Sequence, residues 1–76
     1  MTIQIAIIGL GQTGTSVGLA LAEHQELVRR IGHDIDISQA RQAEKLGALD
    51  GINVNLPATV ENANLVIISV PIAIFE

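Results

Sequence analysis

The residues of this sequence whose types and spacing carry chemistry are three glycines and one acid. Gly9, Gly11 and Gly14 in GLGQTG stand at G-x-G-x-x-G spacing, and Asp34 follows about 20 residues after the last of them. Each glycine has its own task. Gly9 permits a tight turn, Gly11 keeps a Cβ away from an approaching diphosphate, and Gly14 allows a helix to pack closely. The amides near Leu10, Gln12 and Thr13 then open the first turn of a helix, where the macrodipole favours an anion. This is a phosphate seat without a lysine. A carboxylate at Asp34 suits the two hydroxyls of an adenosine ribose, so the four residues together read as a dinucleotide site.

The motif has meaning only between a strand and a helix, and both are expected. Ile3, Ile5, Ile7 and Ile8 make the stretch before Gly9 apolar on both faces, as in a central strand of a parallel sheet. Residues 15–23 read as a helix with Gly14, Val17, Gly18 and Leu21 on one stripe, and Gly18 implies a very close approach of helix and sheet. Residues 27–34 read as a second strand, with Arg29 and Arg30 near its less buried end and His33 facing away from Asp34. Asp36 and Gln39 have the form of a capping box for a helix from Ile37 to Gly47. A short third strand at 48–52, a helical turn at 57–62 and a fourth strand at 65–70, stopped by Pro71, complete the order.

Right-handed crossovers arrange four such strands as 3-2-1-4, an α/β sheet of Rossmann type with flanking helices. Ligands of open α/β sheets bind in the crevice where the order reverses, between strands one and four. Ser69, Val70 and Pro71 are therefore expected to border the ribose and nicotinamide half of the cofactor. A carboxylate at Asp34 repels a 2′-phosphate, and Ile35 offers no arginine to accept one, so NAD is expected over NADP; Arg41, two turns along, is the remaining cation within reach.

Composition narrows the alternatives. The chain has 76 residues, net charge −4, 49% hydrophobic residues, Phe75 as its one aromatic residue and no cysteine. It therefore has no disulfide or thiolate chemistry, and His24 and His33 form no metal-ligand cluster. The four cations Arg29, Arg30, Arg41 and Lys45 are scattered, which argues against nucleic acid and acidic membranes as partners. With no signal-like n-region and no apolar run near about 18 residues, a cytoplasmic location is expected. Strand four reads as an apolar, uncharged edge, and one sheet face has only residues 57–62 to cover it. Residues 1–76 are accordingly expected to be the N-terminal part of a longer dinucleotide-binding domain. Its C-terminal half, or a second chain, is expected to cover that edge.

The run IAIIGLGQTGTSVGLALA, the IGHDID strand end, the LGALD segment and the ending LVIISVP with Glu76 together resemble the N-terminal half of the nucleotide domain of prephenate/arogenate dehydrogenases. Ser16 and the Val70-Pro71 pair are the most specific elements of that likeness. The resemblance implies an NAD-dependent oxidative decarboxylation in tyrosine biosynthesis by a homodimeric enzyme whose catalytic histidine and dimerisation domain lie beyond residue 76. Residues 1–76 then supply cofactor positioning and no catalytic residue. Two other readings use the same turn and the same acid: an NAD(H)-sensing regulatory module, and another dehydrogenase of the β-hydroxyacid type.

Overall fold

The computed structural model describes residues 2–69. Its elements follow the order β1 (Ile3–Ile8), α1 (Gln12–Leu21, continued by a 3-10 turn at Ala22–His24), β2 (Val28–His33), α2 (Ile37–Lys45), β3 (Gly51–Ile52), α3 (Leu56–Glu61) and β4 (Leu65–Ile68). The strands form one parallel sheet in the order β3-β2-β1-β4. This is the α/β architecture of a partial Rossmann-type fold, with β1 at the point where the strand order reverses.

Register and alternation divide the sheet into two faces. Ile5 and Ile7 of β1 stand beside Arg30 and Gly32 of β2 and beside Leu65 and Ile67 of β4. Against Ile5 and Ile7 pack Leu10, Ala40, Ala43, Ala48 and Leu49, with Val17 and Leu21 of α1 at the margin. This face is held by α1 and α2, as two crossovers of one hand require. Gln4, Ala6, Ile8, Ile31 and His33 lie on the other face, where α3 contributes the buried Thr59. Coverage stops short of β4, whose Ile68 is 69% exposed.

The helices start and stop for local reasons. Asp36 caps α2 by accepting the Ser38 N–H, and Asn55 caps α3 by accepting the Ala58 N–H. Asn62 closes α3, its side-chain amide donating to the Ala58 carbonyl. The capping box expected from Asp36 and Gln39 is only half formed. The Asp36 N–H donates instead to Asp34 Oδ1 at 2.9 Å, because a carboxylate is a stronger acceptor than a side-chain amide. Helix α2 ends at Lys45 with Leu46 as its cap, so Gly47 lies one residue beyond the cap, with φ +87°.

Arg30 corrects the sequence reading. It is 3% exposed, in the centre of β2 and not at a wet end. Its guanidinium donates to the carbonyls of Gly18 and Gly47 at 2.8 Å each and to both carboxylate oxygens of Asp50 at 3.2 Å. Asp50 also accepts the Arg30 N–H at 2.7 Å. The Gly18 carbonyl is open to Arg30 because the Ala22 N–H turns to Leu19 as α1 tightens at its end. One side chain thus joins β2, α1, the end of α2 and the approach to β3.

Candidate functional site

The chain leaves β1 through Gly9, whose φ of +90° and N–H donated to the His33 carbonyl aim the loop across the top of β2. An added Cβ at Gly9 would stand 1.8 Å from the Ser69 carbonyl oxygen, so the turn presses directly on the residue after β4. An added Cβ at Gly14 would stand 2.0 Å from the Gly9 carbonyl oxygen, which packs the first turn of α1 against the loop. Gly11 is different: a Cβ there meets nothing within 4 Å. It opens onto free space, where a bulky group can approach the main chain.

That space is a cleft of about 610 Å³. Gly9, Gly11, Gln12 and Thr13 form one wall, Asp34 and Asp36 another, and Ser69 closes the end beside β4. Gly11 is the N-cap of α1 and supplies no side-chain cap, and the first turn carries no acidic residue. The first main-chain bond of the helix runs from the Thr15 N–H to the Gly11 carbonyl. The amides of Gln12, Thr13 and Gly14 precede it and lack helical partners, which with the macrodipole makes this end attractive to an anion. The Thr15 hydroxyl donates to the Leu10 carbonyl at 3.1 Å and fixes the loop to the helix it opens.

Asp34 lies just past β2, half-buried, with both oxygens engaged by main-chain donors. Oδ2 accepts the Leu10 N–H at 2.7 Å and Oδ1 accepts the Asp36 N–H. Each oxygen keeps a further lone pair for a second donor. The acid and the glycine loop are thereby locked into one unit across 24 residues of sequence.

The structure thus brings Gly9, Gly11, Gln12, Thr13, Asp34 and Ser69 to one cleft. Leu10 and Gly14 support it from behind. The Leu10 side chain is 1% exposed in the core, and only its N–H takes part, bound to Asp34. Val70 and Pro71 lie outside the described residues. Ser16 donates its hydroxyl to the Gln12 carbonyl one turn earlier in the helix.

His33, Asp36, Gln39 and Leu56, none of them expected at the site from the sequence, also line the cleft, as does Ile35, expected beside the ribose. His33 and Asp34 both border the cleft, with the His33 ring on the Asn53 carbonyl and the Asp34 carboxylate on the Leu10 N–H. The His33 ring is buried, and its Nδ1 stands 2.8 Å from the Asn53 carbonyl, which makes Nδ1 the protonated nitrogen. Ile35 stands 98% exposed on the rim.

Helix α2 also meets this cleft at its N-terminus, through Asp36 and Gln39. The Asp36 carboxyl is held below its usual range, first by the Ser38 hydroxyl at 2.6 Å and then by the Ser38 N–H at 3.0 Å. Among the described residues no cluster of three or more histidines and carboxylates is placed to hold a metal. No helix among them is long and apolar enough to cross a membrane.

With this geometry in view, the chain can be set beside known proteins. It is 38% identical over 68 residues to the prephenate dehydrogenase of Bacillus subtilis (strain 168). The matched stretch takes in 90% of this chain but 18% of that protein, so the chain spans about a fifth of its relative's length. No family model matches the chain.

Proposed function

We propose that residues 1–76 form the dinucleotide-binding part of a dehydrogenase similar to prephenate dehydrogenase, and that NAD is its cofactor. One observation carries the reading. The uncapped N-terminus of α1, the open space over Gly11 and the Asp34 carboxylate share one cleft, and the Leu10–Asp34 bond holds them together. A diphosphate at the first and a ribose diol at the last fit the donors and acceptors left free. The likeness to a prephenate dehydrogenase over 90% of the chain supports the same assignment.

When bound, the nicotinamide supplies a hydride acceptor; the chain's own residues bind and orient it. The amides of Gln12 and Thr13 take the negative charge, Asp34 accepts from the ribose, and Ser69 borders the end of the cleft beside β4, toward the nicotinamide. In the whole protein the substrate is prephenate or arogenate, and the acid/base group comes from outside this chain. The exposed outer strand, with Leu65 51% and Ile68 69% exposed, is where the rest of that protein or a second chain would pack.

Isothermal titration with NAD tests the assignment. Gly11→Val is expected to abolish binding, because it puts a branched side chain into the space over the loop. Little stability should be lost, since an added Cβ at Gly11 meets nothing within 4 Å. NAD binding by Gly11→Val with wild-type affinity would refute the assigned seat.

A further inference from the structure

We propose that His33 Nε2 reads the base of the dinucleotide, accepting a hydrogen bond from the exocyclic amine of adenine. The proposal rests on the dinucleotide reading above, which gives the diphosphate to the glycine loop and the ribose to Asp34 and leaves the base without a polar partner. Of the remaining residues around the cleft, Ile8, Ile35 and Leu56 are apolar, and Asp36 is committed to Ser38 as the cap of α2. Gln39 is exposed, so water serves its amide. His33 differs from all of these, as a polar side chain of the cleft that is only 6% exposed.

The ring has one nitrogen committed and one left over. Nδ1 donates to the Asn53 carbonyl at 2.8 Å, which fixes the tautomer and leaves Nε2 able to accept a hydrogen bond but not to donate one. Among the described residues Nε2 has no hydrogen-bond partner, and no buried side-chain nitrogen or oxygen among them lacks one, so Nε2 must touch open space. The open space that His33 borders is the cleft. Little solvent reaches a ring so enclosed, and a ligand that brings a donor there satisfies an acceptor that water serves only at its margin. Apolar walls around one acceptor suit a flat heterocycle that carries an amine. Adenine meets that description; hypoxanthine, with an oxygen in place of the amine, would set acceptor against acceptor at the same position.

The test is isothermal titration of the full chain with NAD and with nicotinamide hypoxanthine dinucleotide, for the wild type, His33→Asn and His33→Phe. Asparagine can donate to the Asn53 carbonyl as Nδ1 does and has nothing in the place of Nε2, whereas phenylalanine keeps a ring and removes both nitrogens. The wild type is expected to bind NAD about tenfold more tightly than the hypoxanthine analogue, as for one hydrogen bond lost and its acceptor left unpaired. In both variants that ratio should fall to about one, through a rise in the Kd for NAD. A histidine with a merely structural role would weaken both dinucleotides alike and leave the ratio in place. Thermal melts show which variants fold. A second measurement needs no variant: the Nε2 nitrogen resonance of His33, one of two histidines in the chain, is expected to shift on addition of NAD and to stay near its free position with the analogue. Equal affinity of the wild type for the two dinucleotides overturns the role of His33 and leaves the dinucleotide site standing, as does a ratio that persists in a folded variant. If neither variant folds, a His33 Nε2 signal indifferent to NAD overturns it. A wild type that binds neither dinucleotide overturns the underlying reading, and this proposal with it.

Discussion

At the scale of single residues, the glycines of one motif are not equivalent, and their differences can be measured. Gly9 combines φ +90° with a carbonyl oxygen 1.8 Å from where a Cβ would stand, while Gly11 faces open space. Gly9→Ala is therefore expected to cost at least about 2 kcal/mol, from the left-handed backbone penalty plus displacement of the Ser69 carbonyl, whereas Gly11→Ala should cost less than about 1 kcal/mol. Paired denaturant titrations check the contrast. Asp34 has two tasks at once, accepting from Leu10 and, as proposed, from the ribose. Asp34→Ala is expected to weaken NAD by about 1.5 to 3 kcal/mol and to lower the melting temperature as well, because the Leu10 N–H loses a charged acceptor. Calorimetry and a thermal melt of the same sample separate the two effects.

At the scale of elements, close approach overrides helix propensity. Gly18 in α1 would gain up to about 1 kcal/mol by becoming alanine if the helix stood alone. Its added Cβ would lie 2.2 Å from the Ala48 carbonyl oxygen, so Gly18→Ala is expected to destabilise the protein, and a rise in melting temperature would contradict the packing. The sequence pattern foresaw a tight passage at Gly18 but put the sheet on the other side of it. The partner is the loop between α2 and β3, and the signal was ambiguous because a glycine on an apolar stripe does not name what it approaches. The ends of elements moved for similar reasons. Helix α1 begins at Gln12, three residues before the expected start, since Gly11 serves as N-cap without any capping side chain to mark it.

For the whole molecule, the Arg30 cluster is the main polar connection between layers. Arg30→Met leaves the Gly18 and Gly47 carbonyls without that donor and Asp50 with only the main-chain N–H of residue 30, and a loss of about 3 kcal/mol is expected on removing one partner of a buried charge network. Asp50 extends this to pH. Hydrogen bonds from the Arg30 side chain are the largest influence holding its carboxyl below the ordinary value of 3.8, against the opposing effect of burial. A carboxyl with a lowered folded pKa stabilises the folded state above its unfolded value, and that contribution disappears as pH falls through the folded value. Stability lost on acidification from about pH 5 to below 3.8 should therefore be smaller in Asp50→Asn than in the wild type, as melting temperatures across that range will show.

What the sequence by itself determined was the chain's local grammar. Alternation-free isoleucines named β1 as central, crossover handedness then yielded the strand order 3-2-1-4, and glycine spacing marked where the loop must turn. These follow from steric and hydrophobic rules that act over a few residues. Tertiary structure alone decided the long-range polar pairings. It buried Arg30 against carbonyls 12 and 17 residues away, bound Leu10 to Asp34, and brought His33 and Asp36 to the border of one cleft. Hydrogen bonds of that kind depend on which backbone groups are left unpaired once the elements have packed, and no periodicity in the chain records that remainder.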